Sequence, residues 1–151
     1  MKNLFDSKER DDLLSRISGM KADMIPAWGK MNAHQTIVHL TDPLKAALGE
    51  RTVPFEKSMF GVWPVNKLIS QFLPWPKGAP TNPNFIQGIK GTKPVEFEKD
   101  VESLKETINR FSAQDKSVEF NLNPMFGKLS NDEWARTMWR HIDHHLRQFR
   151  I

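Results

Sequence analysis

The chain contains no cysteine. That absence excludes disulfides, thiolate metal ligands, a zinc-finger framework and a cysteine nucleophile. Long hydrophobic runs are missing too, since nothing approaches the roughly 18 consecutive apolar residues of a spanning helix. The opening MKNLFDSKERDD has no apolar stretch for a secretory signal, so a cytoplasmic location and no membrane partner are expected. Charge of one sign is scarce as well. Lys and Arg number 22 against 18 Asp and Glu, net +4, and the two signs are interspersed. A nucleic-acid binder concentrates its excess in one tract. The arginines near the C-terminus (Arg136, Arg140, Arg147, Arg150) are the only candidate stripe. They read as a solvated face, so no nucleic-acid partner is expected.

What is present fits one folded domain over residues 1–151. Apolar residues make up 38% and charged residues 26%, a globular balance. A chain of this length buries roughly two-thirds of its unfolded surface, enough for a real core.

Helical periodicity then sets the fold class. A first helix opens at Asp6 or Ser7, carries Leu13, Leu14 and Ile17, and ends near Gly19. A second starts after Asn32, with Gln35 three residues on as a capping-box variant. Its stripe is Ala33, Ile37, Leu40, Leu44 and Leu48, and Gly49 stops it. Pro43 falls inside this pattern. The stripe stays in phase across it, which favours a kinked continuous helix over a new helix capped by Asp42. A third helix is marked by Phe97, Val101, Leu104, Ile108 and Phe111, stepping by four and three. Ser130 and Glu133 form a capping box for a fourth, which runs to the C-terminus. The loop before it, 113–129, has room for a short strand around Val118–Leu122.

Residues 51–95 are irregular. Ser58 to Leu73 have room for one or two short helices, with Pro64 suited to a first turn. Prolines 74, 76, 80, 83 and 94 and glycines 78, 88 and 91 break everything after that. Trp63 and Trp75 are expected to clamp this crossover or line a pocket mouth. Four amphipathic helices with one long connection between the second and third make an all-α four-helix bundle with a crossover.

All five histidines lie on two helices. At about 100° per residue, Trp134, Met138, His141, Ile142, His145 and Phe149 share one side of the fourth helix. Arg136, Arg140, Asp143, Arg147 and Arg150 share the other. The Trp134–Phe149 side must be the buried one, so His141 and His145 point inward. Two imidazoles at i, i+4 on one face are how a helix brings both to one metal ion. Ile142 follows His141, so the glutamate of the zinc-protease pattern is missing. The competing account is a pair of hydrogen-bonded core histidines. A third ligand has to come from His34 or His39. On a straight wheel His39 lies off the Ile37–Leu44 stripe, so periodicity does not choose it. His34 sits in a first turn, where exposure is common, and His144 on a half-exposed shoulder.

The segments WGKMNAHQTIVHLTD (28–42) and FGKLSNDEWARTMWRHIDHHLRQF (126–149) resemble the DinB-like superfamily, most closely a bacterial subfamily without an assigned function. The likeness lies in a histidine before Leu-x-Asp on the second helix and H-x-x-x-H late in the fourth. It implies a bundle with a crossover between helices two and three, and a divalent metal, nickel or zinc, on three histidines. Carried over, the ligands fall on His39, His141 and His145. Relatives often continue the last histidine as H-R-G-Q, whereas Leu146, Arg147 and Gln148 follow His145 here.

Such a site implies a metal-dependent enzyme of hydrolase type, or an S-transferase using a low-molecular-weight thiol, as mycothiol- and bacillithiol-using members of that superfamily do. The implied partner is a small-molecule substrate. The absence of cysteine is compatible with a thiol that arrives as cosubstrate. Asp42 and Asp143 are the nearest carboxylates in sequence, but neither shares the ligand face. Arg147 and Gln148 are candidate substrate contacts. The rival from another class is a non-catalytic metal-binding or dimerisation bundle, most simply a homodimer.

Overall fold

Side-chain caps start three of the long helices. Asp6 accepts from the amides of Lys8 and Glu9 and opens α1, Ser7–Ser18. Asn32 and Gln35 form a reciprocal capping box at α2, Ala33–Ala47. Between them these bonds satisfy amides that have no partner inside the helix. The computed structural model describes residues 1–55, 57, 59–78, 81–115 and 117–151. A short α3, Val65–Gln71, lies in the connection after α2, and α4 follows at Phe97–Ser112. Ser130 and Glu133 box the start of α5, Asn131–Gln148. The fold is all-α, with no strand among the described residues.

The expected periodicities carry the core. Leu13 and Ile17 of α1 meet Ile37, Leu40 and Leu44 of α2, Leu104, Ile108 and Phe111 of α4, and Trp134 and Ile142 of α5. All of these are fully buried, and each such side chain contributes roughly 1.5–3 kcal/mol. α2 packs on α4 and α5, and α1 packs on the same two helices. Pro43 sits inside an unbroken α2, which excludes a new helix capped by Asp42. From Thr36 to Leu44 every residue of α2 is buried. A helix covered on all sides has no solvent face for a wheel to find, and His39 is inward for that reason.

Two expectations fail in the loops. No strand forms at 118–122, because those amides are taken elsewhere. Phe120 N–H donates to the Asn131 side chain and Asn121 N–H to the Ala47 carbonyl at the end of α2. Trp63 clamps nothing, with 75% of its surface exposed. Ser58 and Pro80, which bear on the expected short helices and the proline-rich stretch, lie outside the described residues. Within that stretch the regular features are a 3-10 turn, Pro83–Phe85, and one bridge between Gln87 and Gly91.

The arginine side of α5 is also not simply solvated. Arg136 donates to the Gln71 side chain, and Arg140 donates to the carbonyls of Ile69, Ser70 and Leu73. Both hold α3 against α5. Asp143, on the same side, is buried and paired with Arg16 at 2.9 Å and Arg147 at 2.9 Å.

Candidate metal centre

α5 brings two imidazoles together because His141 and His145 are one turn apart on its buried side. α2 brings the third from across the core. One ring nitrogen from each of His39, His141 and His145 lies within 4.8 Å of the others. Ring centroids are 5.0, 4.9 and 4.8 Å apart, and the planes are steeply inclined to one another. The three rings therefore surround one point.

The outer nitrogens of two rings are fixed by the protein. His39 Nδ1 lies 3.4 Å from the Phe85 carbonyl, to which its N–H donates across from the 83–85 turn. His145 Nδ1 lies 2.7 Å from Gln148 Oε1 and donates to it. With the proton on Nδ1, the Nε2 lone pair of each faces inward, the tautomer a metal needs. His39 Nε2 and His141 Nε2 are 3.1 Å apart. Two nitrogens held about 2.0–2.1 Å from one ion lie roughly 2.9–3.4 Å apart, so that separation suits a shared ion. Without an ion, His141 Nε2–H can donate to His39 Nε2 across the same gap.

Electrostatics agree with a donor set of neutral rings. Burial pushes His39 down to about 4 and His145 down to about 3. Burial, and then the neighbouring imidazoles, hold His141 well below the ordinary histidine value. A charged imidazole here would lose its water and face two others, so all three stay neutral at pH 7.

The shell around the rings comes from the connection after α2. Trp75 lies 5.2 Å from His141 and 6.1 Å from His144, with the Arg140 guanidinium 6.0 Å above it. Its expected clamping role is seen. His144 is half-buried, edge-on to His145 at 5.3 Å. Outside them is a cavity of about 370 Å³ lined by Trp28, Trp75, Lys77, Arg140, His144 and Arg147, among others.

The remaining sequence candidates fall elsewhere. Asp42 is fully buried and accepts from Arg51 (3.3 Å), Thr92 N–H (2.9 Å) and Thr92 Oγ1 (2.5 Å). It ties the 84–92 loop to α2. His34 is not part of the cluster; it is half-buried and donates to Asp100 of α4 at 2.6 Å. Gln148 is buried against His145 rather than turned to the cavity. Arg147 does border the cavity. Neither the Phe85 carbonyl nor the Arg51–Asp42–Thr92 knot has a local sequence signal. Gln148, three residues after His145 on the same helix, did have one.

The fold and site thus define an all-α protein with a buried three-histidine cluster able to hold a metal ion. The model of a family described as proteins of unknown function, DUF1569, matches residues 4–151, and the chain belongs to that family. No curated protein and no solved structure matches it. No helix among the described residues is long and apolar enough to cross a membrane.

Proposed function

We propose that the chain is a DinB-like four-helix bundle whose crossover, residues 51–95, covers a nickel or zinc site on His39, His141 and His145. We propose further that it is a cytoplasmic metal-dependent enzyme, a hydrolase or a low-molecular-weight-thiol S-transferase. One observation carries this reading. Three buried, neutral imidazoles converge, and two have their outer nitrogens committed so that their lone pairs face each other. A divalent ion on three imidazoles supplies Lewis acidity to a water or thiol beside it. This chain's residues do the rest. Phe85 and Gln148 hold two rings in register, Trp75 keeps bulk water off His141, and Lys77 and Arg147 make the neighbouring cavity receptive to an anionic small molecule.

A second reading has its own support. The three rings are only 5, 8 and 7% exposed, a coverage that suits a structural metal in a non-catalytic bundle.

Elemental analysis of untagged protein separates these readings, set beside a His39→Ala, His141→Ala, His145→Ala variant. About one equivalent of nickel or zinc, lost in a still-helical variant, is the expected result. Titrating the nickel form with a low-molecular-weight thiol then tests access to the ion. A new thiolate-to-nickel absorption band supports the transferase, and unchanged spectra with unchanged hydrolysis favour the structural ion. Wild type without metal, even after incubation with nickel and zinc salts, removes the enzyme reading.

A further inference from the structure

Two walls of the cavity beside the metal centre are built alike. Trp28, from the loop between α1 and α2, carries the Lys77 ammonium over its ring at 4.6 Å. Trp75, from the crossover, carries the Arg140 guanidinium at 6.0 Å. His144 neighbours both indoles, 6.3 Å from Trp28 and 6.1 Å from Trp75. The cavity they line measures about 370 Å³, toward the lower end of the range for small-molecule sites. Both indoles are half-buried, so each keeps part of its surface uncovered.

These walls carry positive charge that no acid balances. Lys77 is exposed, and neither it nor Arg140 forms an ion pair among the described residues. Arg140 gives its donors to backbone carbonyls, which are uncharged. Burial and the neighbouring Arg136 hold its guanidinium below the ordinary arginine value. Among the described lining residues Asp143 is the one acid, and Arg16 and Arg147 already share it. Trp28 and Trp75 also hold indole N–H groups that are buried without a partner, whereas Trp134 and Trp139 donate to the carbonyls of Asn121 and Glu9. Both walls are thus short of acceptors as well as of negative charge, while they offer flat aromatic surface. An aliphatic anion would leave the indoles without a ring to pack on. A neutral ring would leave the Lys77 ammonium without a counter-charge.

We propose that this cavity binds a small aromatic anion such as an aryl carboxylate, with its ring against Trp28 and Trp75 and its charged oxygens on the Lys77 ammonium. This names the substrate class of the enzyme proposed above and rests on that reading for the ligand's role; the binding itself needs only this chain's residues. The place suits a substrate. Trp75 lies 5.2 Å from His141 and His144 lies 5.3 Å from His145, so the ligand packs on the side chains that cover the histidine cluster.

Isothermal titration calorimetry tests it with naphthoate, its neutral counterpart naphthalenemethanol, and acetate, each against protein kept in chelator and protein loaded with nickel. Naphthoate is expected to bind both forms, about tenfold or more tighter than either other probe and less tightly as salt rises. Lys77→Met should weaken it about tenfold, with helicity and melting temperature unchanged because that side chain is exposed. Trp28→Leu should weaken it about fivefold through the lost ring contact. Equal affinity for naphthoate and the alcohol overturns the proposal, as does naphthoate binding that Lys77→Met leaves intact. Binding confined to the nickel form overturns it too, because the carboxylate then sits on the ion. No binding to either form removes the site, whatever the metal content proves to be. Binding to a protein that takes up no metal keeps the site while the enzyme reading falls.

Discussion

His145 and Gln148 are joined inside the last turn of α5: the Nδ1–H of the imidazole donates to Gln148 Oε1 at 2.7 Å, and both residues are buried. That bond selects the tautomer that leaves Nε2 able to bind a metal. Gln148→Leu keeps the volume and removes the acceptor. It should lower nickel or zinc affinity about 10–100-fold, the usual effect of removing a ligand's outer partner, while the fold persists. A competition titration with a chromophoric chelator reads this. Gly29→Ala reaches the same bond from outside. A Cβ at Gly29 would lie 2.8 Å from Gln148 Nε2 and would push that amide away. Gly29 has φ +92°, so the change should also cost about 1 kcal/mol or more of stability. Affinity unchanged in both variants would mean that the ring orientation does not depend on Gln148.

The metal-free protein should be acid-labile through these rings. His39 is pushed down to about 4 and His145 down to about 3 by burial, from about 6.5 in an unfolded chain. Between those values the unfolded state binds more protons than the folded one. Stability is therefore complete above pH 6.5 and falls as pH drops toward 4 and then 3. The loss should reach roughly a few kcal/mol by pH 4. Urea midpoints measured with chelator at pH 7.5, 5.5 and 4.5 read the slope. A His39→Gln, His145→Gln variant should flatten it, and an equal slope in both proteins would place the acid sensitivity elsewhere.

The parts legible in the sequence were those set by local chemistry. Asp6, Asn32 and Ser130 sit where the caps are, and the α4 and α5 stripes are buried as their spacing requires. The His141–His145 pair followed from the same wheel. His39 did not, because α2 is covered on every side, and periodicity reports only the contrast between a wet face and a dry one. The arginine side of α5 misled for a related reason. Arg136 and Arg140 look solvated from their own helix, but α3 arrives from about 65 residues earlier in the chain and takes their donors. The inward polar face of α3 was unreadable as well. It is satisfied by partners on α5 and at Phe126, and no local pattern encodes them.

Asp42 holds the loop that aims His39. Its carboxylate is fully buried and takes Arg51 and both the N–H and hydroxyl of Thr92. Arg51 in turn donates to the Asn84 carbonyl, next to the Phe85 carbonyl that receives His39 Nδ1–H. Asp42→Ala should cost about 2–4 kcal/mol by leaving the Arg51 guanidinium without its counter-charge. It should also weaken metal binding, because the Phe85 acceptor is released. Thr92→Val removes only the hydroxyl and should cost about 1 kcal/mol. Denaturation midpoints and metal titration of the two variants together check this. A destabilised Asp42 variant with native affinity would separate the loop from the site.

Arg140 is the staple that keeps Trp75 over His141. Its guanidinium donates to three carbonyls of α3 and its C-terminal end, those of Ile69, Ser70 and Leu73, and lies 6.0 Å from the Trp75 ring. Arg140→Met preserves the packing stem and deletes every donor. The expected cost is about 1–3 kcal/mol, a fall of several degrees in melting temperature for a chain of this size. The sharper readout is local. Limited proteolysis should cut the 72–78 stretch faster, and Trp75, no longer held down, should let water reach His141 and speed metal release to a chelator. Arg147→Met is the control, since its side chain is 67% exposed and its ion pair is with Asp143, which Arg16 also holds. It should change neither rate. If release is unaffected by Arg140→Met while proteolysis rises, Trp75 covers the histidine without guarding it, and the route to the ion runs along another side of the cluster.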